Sequence, residues 1–354
     1  MIDSMQIKNF KSLEDEAFVL KKLTIFTGTN SSGKSSTLHA LLLYSLELTK
    51  EYNSSLASYL NFLRKDKNGL LNFHVGAKKF TISLNNQEEL SYSKSERSFL
   101  IRGEVSKLRE ALSYQNEKLV YLCADRIGTR EFYLKNDNPE IDKIGVYGEY
   151  AMDYFEYHKN EPIESYLMVD KNEQTLDINV NHWLYHIVNS ELKTEDGGDD
   201  IKAFFAYKID KISKPKFVNP KNIGSGTGYL ISMLIACLSA KKDELIIIEN
   251  PEIHLHPKAQ AKLGEFFAFI ASQGVQIILE THNDHLLNRF RYEVYNGYLK
   301  NEDIIIYYKE ESFPFEEIEI LENGKFNNKD GENSFPKGFY DATLKEIYKI
   351  NRGK

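Results

Sequence analysis

Three stretches of this chain carry residues whose types and spacing could do chemistry. The first is Gly28-Thr29-Asn30-Ser31-Ser32-Gly33-Lys34-Ser35, a complete G-x-x-x-x-G-K-[ST] phosphate-binding loop. In such a loop the backbone from Asn30 through Ser31, Ser32 and Gly33 to Ser36 would surround phosphate oxygens with N–H groups at a positive helix end. Lys34 would reach the β- and γ-phosphates, and the Ser35 hydroxyl would complete a Mg²⁺ shell. The second is Leu245-Ile246-Ile247-Ile248-Glu249, an apolar run ending in a carboxylate that would hold the same Mg²⁺ from the side opposite Ser35. The third, Val275 to Glu280 and then Thr281-His282, is a similar run ending in a carboxylate and a histidine. A nucleoside triphosphate and Mg²⁺ are therefore the ligands expected.

These groups need elements to position them. Leu23 to Thr27 reads as a short buried strand, β-branched and aromatic, and Ser35 to Leu43 reads as a helix, with helical pattern extending from 36 to 63. Met5 to Ser12 and Phe18 to Leu20 suggest two short strands ahead of the loop strand. Strand-like pattern runs from Phe73 to Ser93, a helix-like stretch from Ser106 to Leu112, and another buried strand from Leu119 to Leu122. Residues 146 to 193 have helical periodicity, and Glu195 to Asp200 is an acidic Gly-containing turn. Strands at Asp303 to Tyr308 and Phe315 to Leu321, the turn Glu322 to Lys325, and a closing helix near Asp341 to Ile350 complete the pattern. Strands alternating with helices around a phosphate loop predict a largely parallel α/β sheet. Lys34 and Glu249 lie 249 − 34 = 215 residues apart, which implies a large segment inserted between the two halves of that sheet.

At 354 residues the chain can bury one large core or two modest ones. Its formal charge of −7 argues against a uniformly basic nucleic-acid binder, while leaving room for a local basic face. Lys202, Lys208, Lys211, Lys214, Lys216 and Lys221 form such a stretch, which either follows a phosphate backbone or is a solvated edge. Nucleic acid thus stays a possible partner. Cys123 and Cys237 sit in apolar segments, as buried thiols of a reducing compartment do. The N-terminus lacks the apolar core of a signal peptide, and the run Tyr229 to Ala240 is too short to span a bilayer. A cytoplasmic protein without a membrane partner is expected.

The segment Ile7 to Ser12, the phosphate loop, Glu249-Asn250-Pro251-Glu252-Ile253-His254-Leu255-His256-Pro257 and Glu280-Thr281-His282-Asn283-Asp284 together resemble the ABC-type ATPase heads of the RecF, SMC and OLD relatives. More narrowly, the chain is similar to bacterial AAA ATPases with an E-[NQ]-P-E-x-H-L-H-P block found in phage-defence operons such as Septu and some retrons. Ala124-Asp125-Arg126-Ile127-Gly128-Thr129-Arg130 and Phe335 to Asp341 fit that subgroup, whereas residues 50 to 118 and 140 to 215 carry little of the likeness. The resemblance implies a P-loop NTPase of ABC-ATPase head type, a mixed β-sheet flanked by helices. Its N-terminal lobe would span residues 1–130, an inserted helical arm 131–215, and a C-terminal lobe 216–354.

By this resemblance Gly224-Ser225-Gly226-Thr227-Gly228, opening a helix, occupies the place of the ABC signature. That helix tip would face the γ-phosphate bound by a second copy, so active sites would form in a homodimer around ATP. Gly226 stands where many relatives have the signature serine. Asn250 takes the position of the usual catalytic glutamate, and an amide can orient water but cannot accept its proton. Slow ATP hydrolysis follows, unless Glu252 reaches the water. His282 occupies the place of the switch histidine that senses the γ-phosphate. His254, His256, His282 and His285 also suggest zinc by spacing alone, a reading that competes with the family's interface turn. Arg126 and Arg130 are left open between holding a phosphate and holding an acidic neighbour. No H-N-H or D-E-x-K nuclease set is evident, so cutting or toxicity is expected of a separate effector protein. The expected role is an ATP-gated component of an antiphage complex; the alternatives are a RecF-like DNA-repair ATPase acting directly on DNA and a nearly non-hydrolysing ATP-bound scaffold.

Overall fold

The computed structural model describes residues 1–86, 88–103, 106–115, 118–140, 143–207, 216–222, 224, 226–311, 313–328, 331–332, 335–336 and 339–340. Lys208, Lys211, Lys214, Ser225, the closing helix 341–350 and part of the 335–341 stretch lie outside the described residues.

Among the described residues the strands form three sheets. The chain opens with β1 (Ser4–Phe10), β2 (Leu13–Val19) and β3 (Leu23–Gly28), followed by helix α1 (Lys34–Thr49). Short helices α2 (Ser55–Tyr59) and α3 (Asn61–Lys65) lead to β4 (Lys79–Leu84), β5 (Glu88–Ser93), β6 (Phe99–Arg102) and α4 (Ser106–Ala111). The helical pattern at 36 to 63 is thus broken, because Lys50 closes α1 in the left-handed region at φ 60°. Next come β7 (Leu119–Leu122), β8 (Phe132–Leu134), α5 (Ala151–His158), α6 (Leu176–Val188), β9 (Ser190–Asp196), β10 (Asp200–Tyr207) and β11 (Phe217–Val218). The final third holds α7 (Gly226–Leu238), β12 (Leu245–Glu249), α8 (Pro257–Ser272), β13 (Gln276–Glu280), α9 (Asp284–Tyr295) and β14 (Ile304–Lys309). It ends with β15 (Glu316–Ile320), β16 (Phe326–Asn328) and β17 (Gly331–Glu332).

The central sheet runs β17-β16-β15-β14-β3-β13-β12-β7, and its β14-β3-β13-β12-β7 portion is parallel. Its strands are continuous apolar runs because both faces are covered. Ile246, Ile248, Ile277 and Leu279 point into one core with α6, α7, α8 and α9, while Ile247 and Ile278 point into the other with α1. That second core is closed by the antiparallel sheet β2-β1-β4-β5-β6. β1 pairs with β2 on one side and β4 on the other, in a separate sheet that lids α1. A buried ion pair ties the layers together, with Lys309 Nζ of β14 2.5 Å from Glu16 Oε1 of β2.

The segment 131–215 holds more than the helices read from its periodicity. α5 and α6 pack beside an antiparallel β9–β10 hairpin whose turn is the acidic stretch at 196–200. Trp183 of α6 meets Phe266 of α8 at 5.0 Å, so this segment joins the main core.

Candidate functional site

The strand order decides what can meet at the phosphate loop. β3 delivers the loop, β13 lies directly beside it, and β12 lies one strand further away. Register aligns Glu280 with Phe26 and Glu249 with Glu280, so both carboxylates emerge at the same end of the sheet as the loop.

The loop turns on residues that tolerate positive φ: Gly28 at 132°, Ser31 at 61° and Gly33 at 108°. Gly28 admits no side chain, since a Cβ there would fall 2.0 Å from the Lys309 carbonyl oxygen. The same carbonyl accepts the Thr29 N–H at 3.1 Å, and the Thr29 hydroxyl accepts the Glu311 N–H at 3.0 Å. Gly33 precedes α1 as its N-cap without a side-chain cap, leaving the first-turn N–H groups of a sixteen-residue helix to a ligand. Lys34 is buried and curls onto its own loop, its ammonium donating to the Thr29 carbonyl at 2.5 Å and facing the Ser32 hydroxyl at 3.4 Å. Burial lowers its pKa, and the Glu280 carboxylate pulls the other way.

Ser35 donates its hydroxyl to Glu280 Oε1 at 2.8 Å. Glu249 is turned toward β7: Tyr121 Oη donates to its Oε1 at 2.8 Å and the Ala124 N–H to its Oε2 at 3.2 Å. The Tyr59 hydroxyl lies 3.2 Å from that of Tyr121. Burial raises the pKa of Glu249 and of Glu252, and burial with the neighbouring Glu249 pushes Glu280 up to about 7.

Asn250 occupies a left-handed turn at φ 42°, a conformation asparagine tolerates better than most residues. Its N–H donates to the Glu280 carbonyl at 2.7 Å. Glu252 Oε1 accepts the His282 N–H at 3.1 Å, joining the Asn250-Pro251-Glu252 turn to the segment after β13. The His282 imidazole is held below its usual pKa by burial and by Lys34, against the opposing pull of the Gly28 carbonyl.

The phosphate loop, Glu249, Asn250, Glu252 and His282 therefore share one end of the central sheet. The predicted tip Gly224, Gly226 and Gly228 lies elsewhere. Gly224 and Gly226 line a separate cavity of about 420 Å³ with His254, Leu255, His256 and Lys258, and no phosphate-loop residue lines it. A Cβ on Gly226 would meet the His254 carbonyl oxygen at 2.4 Å, and one on Gly228 the Thr129 nitrogen at 2.3 Å. Close packing accounts for both glycines, and the Gly228 N–H already donates to the Thr129 hydroxyl at 3.1 Å.

Three residues that sequence reasoning left aside or open contribute here. Glu280 is the carboxylate in contact with Ser35, and Tyr121 holds Glu249. Arg126 is buried and donates to the carbonyls of Cys123, Glu249 and Asn250 at 2.7, 2.5 and 3.0 Å, so it straps the end of β12. The signal for Glu280 was present: like Glu249, it ends an apolar strand. Of the histidines, His254 stacks on Tyr229 at 4.8 Å and His256 caps α8. Among the described residues no group of three or more His, Cys, Asp or Glu could hold a metal ion.

Mg²⁺ needs no such cage, because it takes one or two carboxylates together with substrate phosphates. The residues fit it. Glu280 Oε2 is buried without a hydrogen-bond partner beside the Ser35 hydroxyl, as is Asn250 Oδ1 nearby in the same turn system. ATP-bound Mg²⁺ would be held by Ser35 with carboxylates of this end of the sheet, and would supply charge neutralisation at the transferred phosphoryl group.

Comparison with known proteins now bears on this arrangement. Residues 1–195 match the family model described as "AAA ATPase domain", and the chain belongs to that family. Residues 133–288 match a second model, described as "AAA domain, putative AbiEii toxin, Type IV TA system". No curated protein matches the chain. Among solved structures, the Smc head bound to the C-winged-helix domain of ScpA is similar at 14% identity and a TM-score of 0.51, over 90% of this chain and 98% of that one. The Smc head with an extended coiled coil bound to the C-terminal domain of ScpA, derived from Pyrococcus furiosus, gives the same identity and score over 98% and 99%. The fold is that of a P-loop NTPase of ABC-ATPase head type. Among the described residues no helix is long and apolar enough to cross a membrane.

Proposed function

We propose that this chain is an ATP-gated switch that hydrolyses slowly and, when loaded, licenses a separate effector protein, a nuclease or toxin, in antiphage defence. Two copies clasp ATP between the Lys34 loop of one and the Gly224–Gly228 helix tip of the other. Ser35 and the strand-end carboxylates take Mg²⁺, and His282 reads the γ-phosphate. The observation that carries slow turnover is Asn250: an amide stands at the end of β12 where a base is wanted, in a left-handed turn whose N–H is bound to Glu280. Losing a general base costs about 10²- to 10⁴-fold in rate. Glu252 is the carboxylate we expect to compensate, and its Oε1 accepts the His282 N–H. The similarity to the AbiEii-described model supports the defence setting, and Smc heads seen with ScpA support a protein docked on the head.

Steady-state hydrolysis and light-scattering mass, measured with and without ATP, test this reading. An ATP-dependent doubling of mass with turnover well below one per second is expected. A strictly monomeric ATP-loaded chain, or turnover of many ATP per second untouched by Glu252→Gln, would overturn it.

A further inference from the structure

Two strands of this sheet end in a glutamate at the phosphate loop, and the geometry separates them. Glu280 ends the strand next to β3, about 4.8 Å across one hydrogen-bonded spacing, whereas Glu249 is roughly twice that distance away. Ser35 touches Glu280, not Glu249. Glu249 presents its oxygens to Tyr121 and Ala124, on the side of β12 that faces away from the loop. Glu280 is only 4% exposed, yet its Oε2 has no hydrogen-bond partner. A buried carboxylate oxygen without a donor is costly unless a cation completes it.

We infer that Glu280 is the carboxylate that touches the divalent cation, and that Glu249, held by Tyr121, acts on the cation from one strand further out. This rests on the reading of the loop as an ATP site. Without the cation, the Ser35 hydroxyl donates to Glu280. With the cation bound, Ser35 would keep its proton and offer it an Oγ lone pair, and Glu280 would give up the Ser35 hydrogen bond to hold the cation. The pair is thus a preformed slot for a hard cation with oxygen ligands. The Ala-Asp-Arg segment after β7 and the Tyr121 hydroxyl fix Glu249 as the outer partner, as second-layer groups fix a metal ligand elsewhere.

Mn²⁺ serves as the probe, its binding with ADP followed by loss of the free-ion electron paramagnetic resonance signal. Glu280→Gln should weaken Mn²⁺ by roughly 100-fold or more, while Glu249→Gln stays within the about 10- to 100-fold typical of an outer partner. Glu280→Asp, which keeps the charge one methylene further back, should retain part of the affinity. Binding of fluorescent ADP in the presence of a chelator should change little in all three, which shows that each variant folds. Equal losses for the two glutamines, or a larger loss at Glu249, overturns the assignment while leaving the ATP reading intact. A parent chain that takes up neither nucleotide nor Mn²⁺ overturns both.

Discussion

Acid should destabilise this protein through His39, a residue of the second turn of α1. Its Nδ1 sits 3.1 Å from the Lys11 ammonium, and its ring meets Phe62 edge-on at 5.5 Å. Only a neutral imidazole can accept a hydrogen from Lys11; a protonated one would face a second cation in contact. Burial first, and Lys11 second, hold the His39 pKa at about 3 against the ordinary 6.5. The folded state therefore binds fewer protons than the unfolded one between pH 6.5 and 3, so stability is lost as pH falls through that window. At about 1.4 kcal/mol for each tenfold change in proton affinity, the loss is roughly 2 kcal/mol between pH 7 and pH 5. That is a sizeable part of the ~5–15 kcal/mol that ordinarily holds a domain together. Glu249, Glu252 and Glu280 have raised pKa values and act in the opposite sense, gaining stability as pH falls. A comparison with His39→Gln cancels them, because glutamine offers Lys11 an amide oxygen that does not titrate. Urea midpoints at pH 7 and pH 5 should diverge between parent and variant by about that 2 kcal/mol, with unchanged slopes. Lys11 itself, lowered to about 8, changes charge only above this window. An identical pH response in the two proteins, or a His39 ring resonance titrating near 6.5, would refute the reasoning.

Three further outcomes follow from close contacts. Gly28→Ala forces a methyl group against the Lys309 carbonyl at φ 132°, and should lower stability by ~2 kcal/mol or more, with loss of ATP binding, read by thermal melting with and without nucleotide. Arg126→Met removes a buried guanidinium from three carbonyls and should cost ~3–5 kcal/mol in denaturant titration; a variant as stable as the parent would show the strap to be dispensable. Gly226→Ser, which restores the signature serine of the ABC pattern, should destabilise by ~1–3 kcal/mol rather than tighten an ATP-bound dimer, because its Cβ meets the His254 carbonyl at 2.4 Å. Sedimentation with ATP would reveal the contrary result as a more stable dimer.

Residues whose work is local were legible in the sequence. The phosphate loop is eight consecutive residues between a strand and a helix, and β7, β12 and β13 announce themselves as short apolar runs. The contact of Glu280 with Ser35 escaped because it depends on β13 being inserted between β3 and β12, an order no spacing along the chain encodes. Arg126 and Tyr121 escaped for the same reason: their partner Glu249 is more than a hundred residues away in sequence. The β9–β10 hairpin was read only through its acidic turn. Its strands lack clean alternation, since Phe204 and Phe205 stand side by side and both Ala203 and Ala206 are buried. The two strands ahead of the loop strand were legible, but not the sheet they join, because period-2 pattern specifies a buried face and not the neighbour it is buried against.

The identity of residue 250 is as much a demand of the fold as of the chemistry. Its N–H is bound to β13 through the Glu280 carbonyl and its own carbonyl to Arg126, so the backbone of this turn is fixed at both ends in a left-handed bend. An asparagine accepts that bend more readily than a glutamate. Two residues on, Glu252 holds the backbone of His282. The turn after β12 and the segment after β13 are consequently one hydrogen-bonded unit, in which Asn250, Glu252, Glu280 and His282 cannot shift independently. On the proposed function, a γ-phosphate that drew His282 toward it would also pull on Glu252, which accepts the His282 N–H. If turnover is slow and His282 senses nucleotide, as proposed above, the two would have a common cause, since Glu252, the candidate base, also accepts the His282 N–H.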